Sequence, residues 1–396
     1  MVRAASPDGL VRAGRPPVGG GPMTVRLGFA CHWGQTREGT WSGTPWRLRR
    51  ALTGVTEVVD VGSELVQPVQ VVLKGMGARR TPQGWVTTWR HGALTHALVQ
   101  SDVRARVRRA RPDVVLEIHD LAVLDTPFLV LQDLSYALLL EHFGPDGVPH
   151  FRALGRRRIE ALHARQERIY EHAAGLLPMS EWMARSLVAH GIPAAKVHVV
   201  NPGINTPLPS DGTAVVPERR GGSTRRLLLV GRDFDTKGGA QVVAAFERLR
   251  RELGGSVSLT IAGPRTWPLR GEVPDGVNFL GPRPGPEIAA LLDSHDLFVM
   301  PSRFEGFGIA FAEALARGLP CIGRDACAMP EIIDRASGGR LVTSESPDEL
   351  ADLIVDTLAD DALYAACAAA APARQAHFTW ARAADQVAAI AQEVRR

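Results

Sequence analysis

At 396 residues the chain is too long for one ordinary hydrophobic core and suits two domains of ordinary size. Its 45% apolar and 22% charged residues exclude a disordered or fibrous protein. A net charge of +4 argues against a nucleic-acid partner, and the four cysteines (Cys31, Cys321, Cys327, Cys367) show neither a CxxC pair nor zinc-ligand spacing, so reduced buried thiols are expected.

Residues 1–22, rich in Gly, Pro, Ala and Arg and lacking an apolar core, read as a disordered extension with Met23 as an alternative start. From residue 24 short apolar runs alternate with helical patterns, the arrangement that builds parallel sheets covered by helices. Strands are predicted at Val25–Ala30, Val55–Val61, Asp113–His119, Pro127–Gln132 and Val197–Asn201. The apolar stretch Leu121–Leu140 is interrupted by Asp125, Gln132 and Asp133, so no membrane span is expected, and a cytoplasmic location follows. Arg152, Arg156, Arg157 and Arg158 lie in one helical pattern able to touch an anionic membrane surface, although a solvated helix face is the simpler reading.

Between 207 and 224 the sequence loses periodicity and collects Pro, Gly, Ser and charge, as an interdomain linker does. The boundaries expected are 1–22 extension, 23–206 first domain, 207–224 linker, 225–378 second domain, and 379–396 a C-terminal helix able to pack back on the first domain. In the second domain strands are predicted at Arg226–Val230, Val257–Ala262, Val277–Leu280, Leu297–Met300 and Cys321–Gly323. Ser346-Pro347-Asp348-Glu349 predicts a helix start, with an N-cap Ser, Pro at the first helical position and an acid three residues after the cap.

Ligands of open parallel sheets bind beyond the carboxyl ends of the strands, so motifs that directly follow a strand carry most weight. After Val230 comes Gly231-Arg232-Asp233-Phe234-Asp235-Thr236-Lys237-Gly238-Gly239, whose cations Arg232 and Lys237 stand at a strand-to-helix mouth suited to a diphosphate. After Met300 comes Pro301-Ser302-Arg303-Phe304-Glu305-Gly306-Phe307-Gly308-Ile309, where glycines open the backbone at a helix N-terminus that favours phosphate. Glu305 and Glu313, eight residues apart, would stand about 12 Å from one another at 1.5 Å per residue and could hold hydroxyls on either side of a diphosphate. Asp233 and Asp235 look like a metal-holding D-x-D, but the flanking cations already supply positive charge, so no metal is expected. Neither half shows G-x-G-x-x-G after its first strand, which disfavours a dinucleotide cofactor.

Across GRDFDTKGG, SLTIAGP, VNFLGPRPGPEIAALL, DLFVMPSRFEGFGIAFAEALARGLPCIG and MPEII, the second half resembles the retaining glycosyltransferases of family 4, the group 1 type. The pair Glu305 and Glu313 matches that family's E-x7-E. The resemblance implies a GT-B fold, two Rossmann-like domains facing across a cleft, with a nucleotide-sugar donor as substrate, no cofactor, no metal and an unidentified acceptor bound by the first domain. It also implies site roles: Glu313 on the ribose, Glu305 with Gly306, Phe307, Gly308 and Ile309 on the sugar and phosphates, and Arg232 with Lys237 on the diphosphate.

In the first half EHAAGLLPMSE, GIPAAKVHVV and NPGIN resemble the family's interdomain approach. Gly43, in Thr40–Pro45, stands where the family has a glycine-rich loop beneath the donor. Many members carry a His after a first-domain strand; this chain offers His119-Asp120 and Gln132-Asp133, so His119 and Asp133 are the catalytic candidates beside Glu305. A sugar-nucleotide epimerase of the same architecture and a non-catalytic sugar-binding homologue are the competing readings.

Overall fold

The computed structural model describes residues 25–34, 36–81, 84–142, 154–208 and 224–395. The expected 1–22 extension, most of the 207–224 linker and Arg152 lie outside them. The first sheet is formed by β1 (Arg26–Ala30), β2 (Glu57–Asp60), β5 (Val114–Ile118), β6 (Phe128–Gln132) and β7 (Gly175–Pro178), in the order β2-β1-β5-β6-β7. All its neighbours run parallel. The second is formed by β8 (Arg225–Val230), β9 (Val257–Ala262), β10 (Val277–Gly281), β11 (Leu297–Val299), β12 (Cys321–Arg324) and β13 (Gly339–Val342), in the order β10-β9-β8-β11-β12-β13, again parallel. These are two α/β domains of GT-B architecture.

Parallel strands buried on both faces read as continuous apolar runs, and β5 (VVLEI) and β6 (FLVLQ) are buried at every position. Alternate residues of β8 serve opposite layers. Leu227 and Leu229 pack with Val242, Phe246 and Leu249 of the helix Gly239–Leu253, whereas Leu228 packs with Phe311 and Leu315.

One expected strand is absent, and four strands stand where none was predicted. Val197–Asn201 forms no strand: it runs beside β7 with a bridge between Val197 and Leu176 and with the His198 and Val200 amides on the Leu176 and Pro178 carbonyls, but Pro178 has no N–H to continue the ladder. The strands β7 and β13 were not expected, nor was the antiparallel hairpin β3 (Ala78–Thr81) and β4 (Gly84–Thr87). The helix expected at Ser346 starts there and runs Pro347–Ala359, with the Ser346 hydroxyl accepting from the Glu349 amide, while the Glu349 carboxylate turns to Thr343 and Ser344 and does not return to the cap.

The helix Trp380–Arg395 crosses to the first sheet, where Ala383, Ala384, Val387 and Ala391 join Leu48 and Leu52 in one apolar cluster. Strand order reverses between β1 and β5 in the first sheet and between β8 and β11 in the second. At such switch points adjacent loops leave in opposite directions and open a crevice.

Candidate active site at the facing switch points

The loops that follow β1, β5, β6, β8 and β11 converge on one cavity of about 590 Å³. From the second domain Asp233, Thr236, Lys237, Phe304, Glu305 and Gly306 line it. The first domain contributes the larger share, including His32, Trp41, Arg90, His119, Asp133 and Tyr136.

Local folding explains why the second-domain groups point inward. The Asp233 carboxylate accepts from the amide and hydroxyl of Thr236, at 3.2 and 2.8 Å, closing the turn after β8. Lys237 then lies back across Gly231, where a Cβ would come within 2.6 Å of Lys237 Cγ. Its ammonium pairs with Glu305 Oε2, to which the Ser302 hydroxyl also donates at 3.4 Å. Behind this loop the buried Arg324 guanidinium donates to the Pro301 carbonyl and to Gln241. Gly308 has φ +94°, a left-handed cap for the helix Ile309–Leu315 that glycine adopts without strain.

Across the cavity, Gly306 meets the first domain so closely that a Cβ would run into the Asp133 carbonyl. The Asp133 carboxyl is pushed up to about 7, first by burial and then by the Glu305 charge, against the pull of a backbone bond and Lys237. His119 has φ +62° and its ring lies 4.3 Å from that of Trp41, itself at φ +43°. Left-handed residues other than glycine are strained and cluster at functional sites. Burial, then the His91 charge, lowers His119 to about 4, so its imidazole is neutral at pH 7.

The sequence candidates therefore separate. Glu305, Lys237, Gly306, His119 and Asp133 meet in the cavity. Arg232 is exposed and outside its lining; Gly43, at φ +88°, caps the helix Thr44–Leu52 while its neighbours Trp41 and Pro45 face the cavity. Phe307 is buried with its ring against Phe378, and Ile309 opens the helix behind it. Glu313 does not line the cavity either: its Oε1 accepts from the amides of Asn205 and Thr206 at 2.8 and 2.9 Å. One turn on, the fully buried Arg317 donates to Thr206, to the Pro207 carbonyl and to Asp293. Of the two acids, Glu305 lies in the cavity and Glu313 holds the segment that leads out of the first domain.

Sequence reasoning named His119 and Asp133 in the first-domain wall but missed His32, Arg90 and Tyr136. Both ring nitrogens of His32 are buried without a hydrogen-bond partner, and burial followed by the Arg90 charge lowers it to about 4. Arg90 is carried by the turn Trp89–His91, held by Thr95 on the Trp89 carbonyl and Arg158 on the His91 carbonyl. A His directly after β1, in Cys31-His32-Trp33, was the available signal. Of the arginines expected to form a free basic face, Arg156 pairs with Glu160 and Arg158 is committed to this turn. Among the described residues no group of three or more metal-ligating side chains converges. The four cysteines are free, three of them buried.

Fold and cavity together define a two-domain α/β protein with its candidate site between parallel sheets. Residues 217–374 match the family model "Glycosyl transferases group 1", so the second domain is a glycosyltransferase group 1 domain. Among similar curated proteins, a D-inositol 3-phosphate glycosyltransferase of Corynebacterium aurimucosum is 29% identical over 58% of this chain and 59% of its own length. A GDP-mannose-dependent alpha-(1-6)-phosphatidylinositol monomannoside mannosyltransferase of Mycobacterium tuberculosis is 30% identical over 42% of this chain and 48% of its own. The chain thus matches about half the length of these relatives. Among solved structures, WaaG, a glycosyltransferase of lipopolysaccharide biosynthesis, superposes with a TM-score of 0.66 at 19% identity, covering 92% of this chain and 99% of WaaG.

Proposed function

We propose that the chain is a retaining glycosyltransferase that moves a sugar from a nucleotide-sugar donor to an acceptor without a metal, in the cytoplasm. The observation that carries this reading is the meeting of the Lys237–Glu305 pair with Asp133 and His119 in one interdomain cavity. Lys237 holds the donor diphosphate, the amides at Gly306–Ile309 take phosphate or sugar oxygens, and Glu305 accepts from a sugar hydroxyl. The bond from the anomeric carbon to phosphate breaks and the nucleoside diphosphate leaves with the electron pair. The acceptor oxygen bonds to that carbon, and its proton passes to the departing phosphate or to Asp133. Neutral His119 offers one donor and one acceptor for orienting the sugar. With Lys237 supplying the charge and both Asp233 oxygens committed to their own turn, the diphosphate needs no divalent ion.

The test is a hydrolysis screen of UDP-, GDP-, ADP- and dTDP-sugars in excess chelator. GDP-mannose as donor and an inositol phosphate as acceptor come first, because the names of the relatives supply them. Release of free sugar from one donor is expected. An epimerised nucleotide sugar would move the chain to the epimerases, turnover only with added metal would remove metal independence, and binding without turnover would favour a sugar-binding protein.

A further inference from the structure

From Leu65 to Ser101 the sequence contains no Asp or Glu and carries Lys74, Arg79, Arg80 and Arg90. The helix Gln67–Met76 lies in this segment with its polarity inverted. A surface helix ordinarily turns its charged face to water. Here Val66, Val71, Val72 and Met76 are 64%, 63%, 60% and 69% exposed, while the one cation, Lys74, is folded back with its ammonium 5.9 Å from the Trp89 ring. Pro68 and Gly75 complete the outward face, and Leu73 is the buried anchor. The turn Trp89–His91 packs against this helix and against the start of the helix Ala93–Ala110, where Leu94 and Leu98 are also exposed. An aliphatic surface of this kind, bordered by the exposed Arg80 and Arg90, needs a partner; the acids that flank its segment, Glu64 and Asp102, are paired with Arg37 and Arg106.

The charge pattern selects among partners. A second copy in a two-fold contact would set the same acid-free, cationic segment against itself, bringing like charges together. A bilayer with anionic headgroups satisfies both halves of the pattern, with aliphatic side chains in the acyl boundary and cations among the phosphates. We propose that this face docks the protein onto an anionic lipid surface through Val66, Val71, Val72 and Met76. Arg90, His91 and His96, from the turn and helix beside the docking face, also line the cavity. On the glycosyltransferase reading, which this consequence rests on, an acceptor held in the surface reaches the cavity along one edge of the molecule.

Sedimentation of the full chain with vesicles separates the outcomes. Vesicles of phosphatidylglycerol and phosphatidylcholine should carry the wild type down, less so at high salt, while phosphatidylcholine alone should not. Val71→Asp/Val72→Asp should lower partitioning roughly tenfold or more. Both positions face away from the cavity, so the circular dichroism spectrum and donor hydrolysis in solution should be unchanged. Wild type that stays in the supernatant with anionic vesicles overturns the proposal. So does a wild-type dimer in light scattering that the double variant abolishes, because a second copy then covers the face. Vesicle binding without hydrolysis of any nucleotide sugar would leave docking standing and remove the proposed activity; hydrolysis without binding would do the reverse.

Discussion

Asp133 is held by opposing forces, and their balance is measurable. Its folded value of about 7 stands above the ordinary 3.8, so the fold favours the protonated form. The stabilisation is complete below the unfolded value and is lost as pH rises through about 7. Asp133→Asn, which cannot ionise, should therefore gain stability relative to wild type between pH 4 and 7, at up to about 1.4 kcal/mol per pH unit. Denaturant unfolding at several pH values checks this, and a difference independent of pH would show that Asp133 is not held protonated. The two cations expected to act as a pair differ in surroundings. Lys237→Ala, which also strands Glu305, should cost about 1.5 to 3 kcal/mol of nucleoside diphosphate binding, the range for a hydrogen bond to a charged group. Arg232→Ala, at an exposed site, should cost about 0 to 1 kcal/mol. Calorimetry with diphosphate and with the uncharged nucleoside decides: equal diphosphate losses would place Arg232 in the site, and a nucleoside loss would make either cation a support of the fold.

At the scale of elements, the helix Ile309–Leu315 starts from a left-handed Gly308, two residues beyond the cavity-lining Gly306, and grips the connector at Glu313. Glu313→Ala would leave two amides without their acceptor in a buried place, so a loss of about 1 to 3 kcal/mol of stability is expected. Thermal unfolding beside nucleotide calorimetry distinguishes the roles. Unchanged stability with weaker nucleotide binding would return Glu313 to the ribose. The E-x7-E spacing was legible in the sequence because it lies inside a contiguous motif; the contact of Glu313 with the amides of Asn205 and Thr206 was not, because they are more than a hundred residues away. The strands of the second sheet were legible for a related reason: burial on both faces writes an unbroken apolar run, as in LLLV of β8 and TIA of β9. β13 (GRLV) is short, carries an arginine and lies at the sheet edge, and the hairpin of β3 (ARRT) and β4 (GWVT) offers no alternation to read. The rest of the first-domain wall escaped because its members come singly from separate loops: His32 after β1, Arg90 from a turn, Tyr136 from the helix Tyr136–Glu141.

At the scale of the molecule, the site exists only while the two domains approach, and beside the packing of the helix Trp380–Arg395 three further contacts set that approach. Glu331 of the second domain accepts from the amides of Glu181 and Trp182 at 3.0 and 2.8 Å, capping a first-domain helix from outside. Trp182 and Phe304 stack edge to face at 5.7 Å beside His142. The third is Gly306 against the Asp133 carbonyl, and it is the one that a methyl group can probe cleanly. No left-handed φ is required of Gly306, so alanine is tolerated by its own loop; the obstruction comes from the other domain alone. Gly306→Ala should therefore leave thermal unfolding nearly unchanged while it holds the cleft ajar. Small misplacements of reacting groups cost on the order of a hundredfold in rate, so turnover should fall by about that factor while nucleoside binding persists. Small-angle scattering should show a larger radius of gyration for the variant in the presence of nucleotide. Unchanged turnover would mean that chemistry proceeds with the domains further apart, and Asp133, the first-domain group nearest this contact, would then lose its place at the reacting centre.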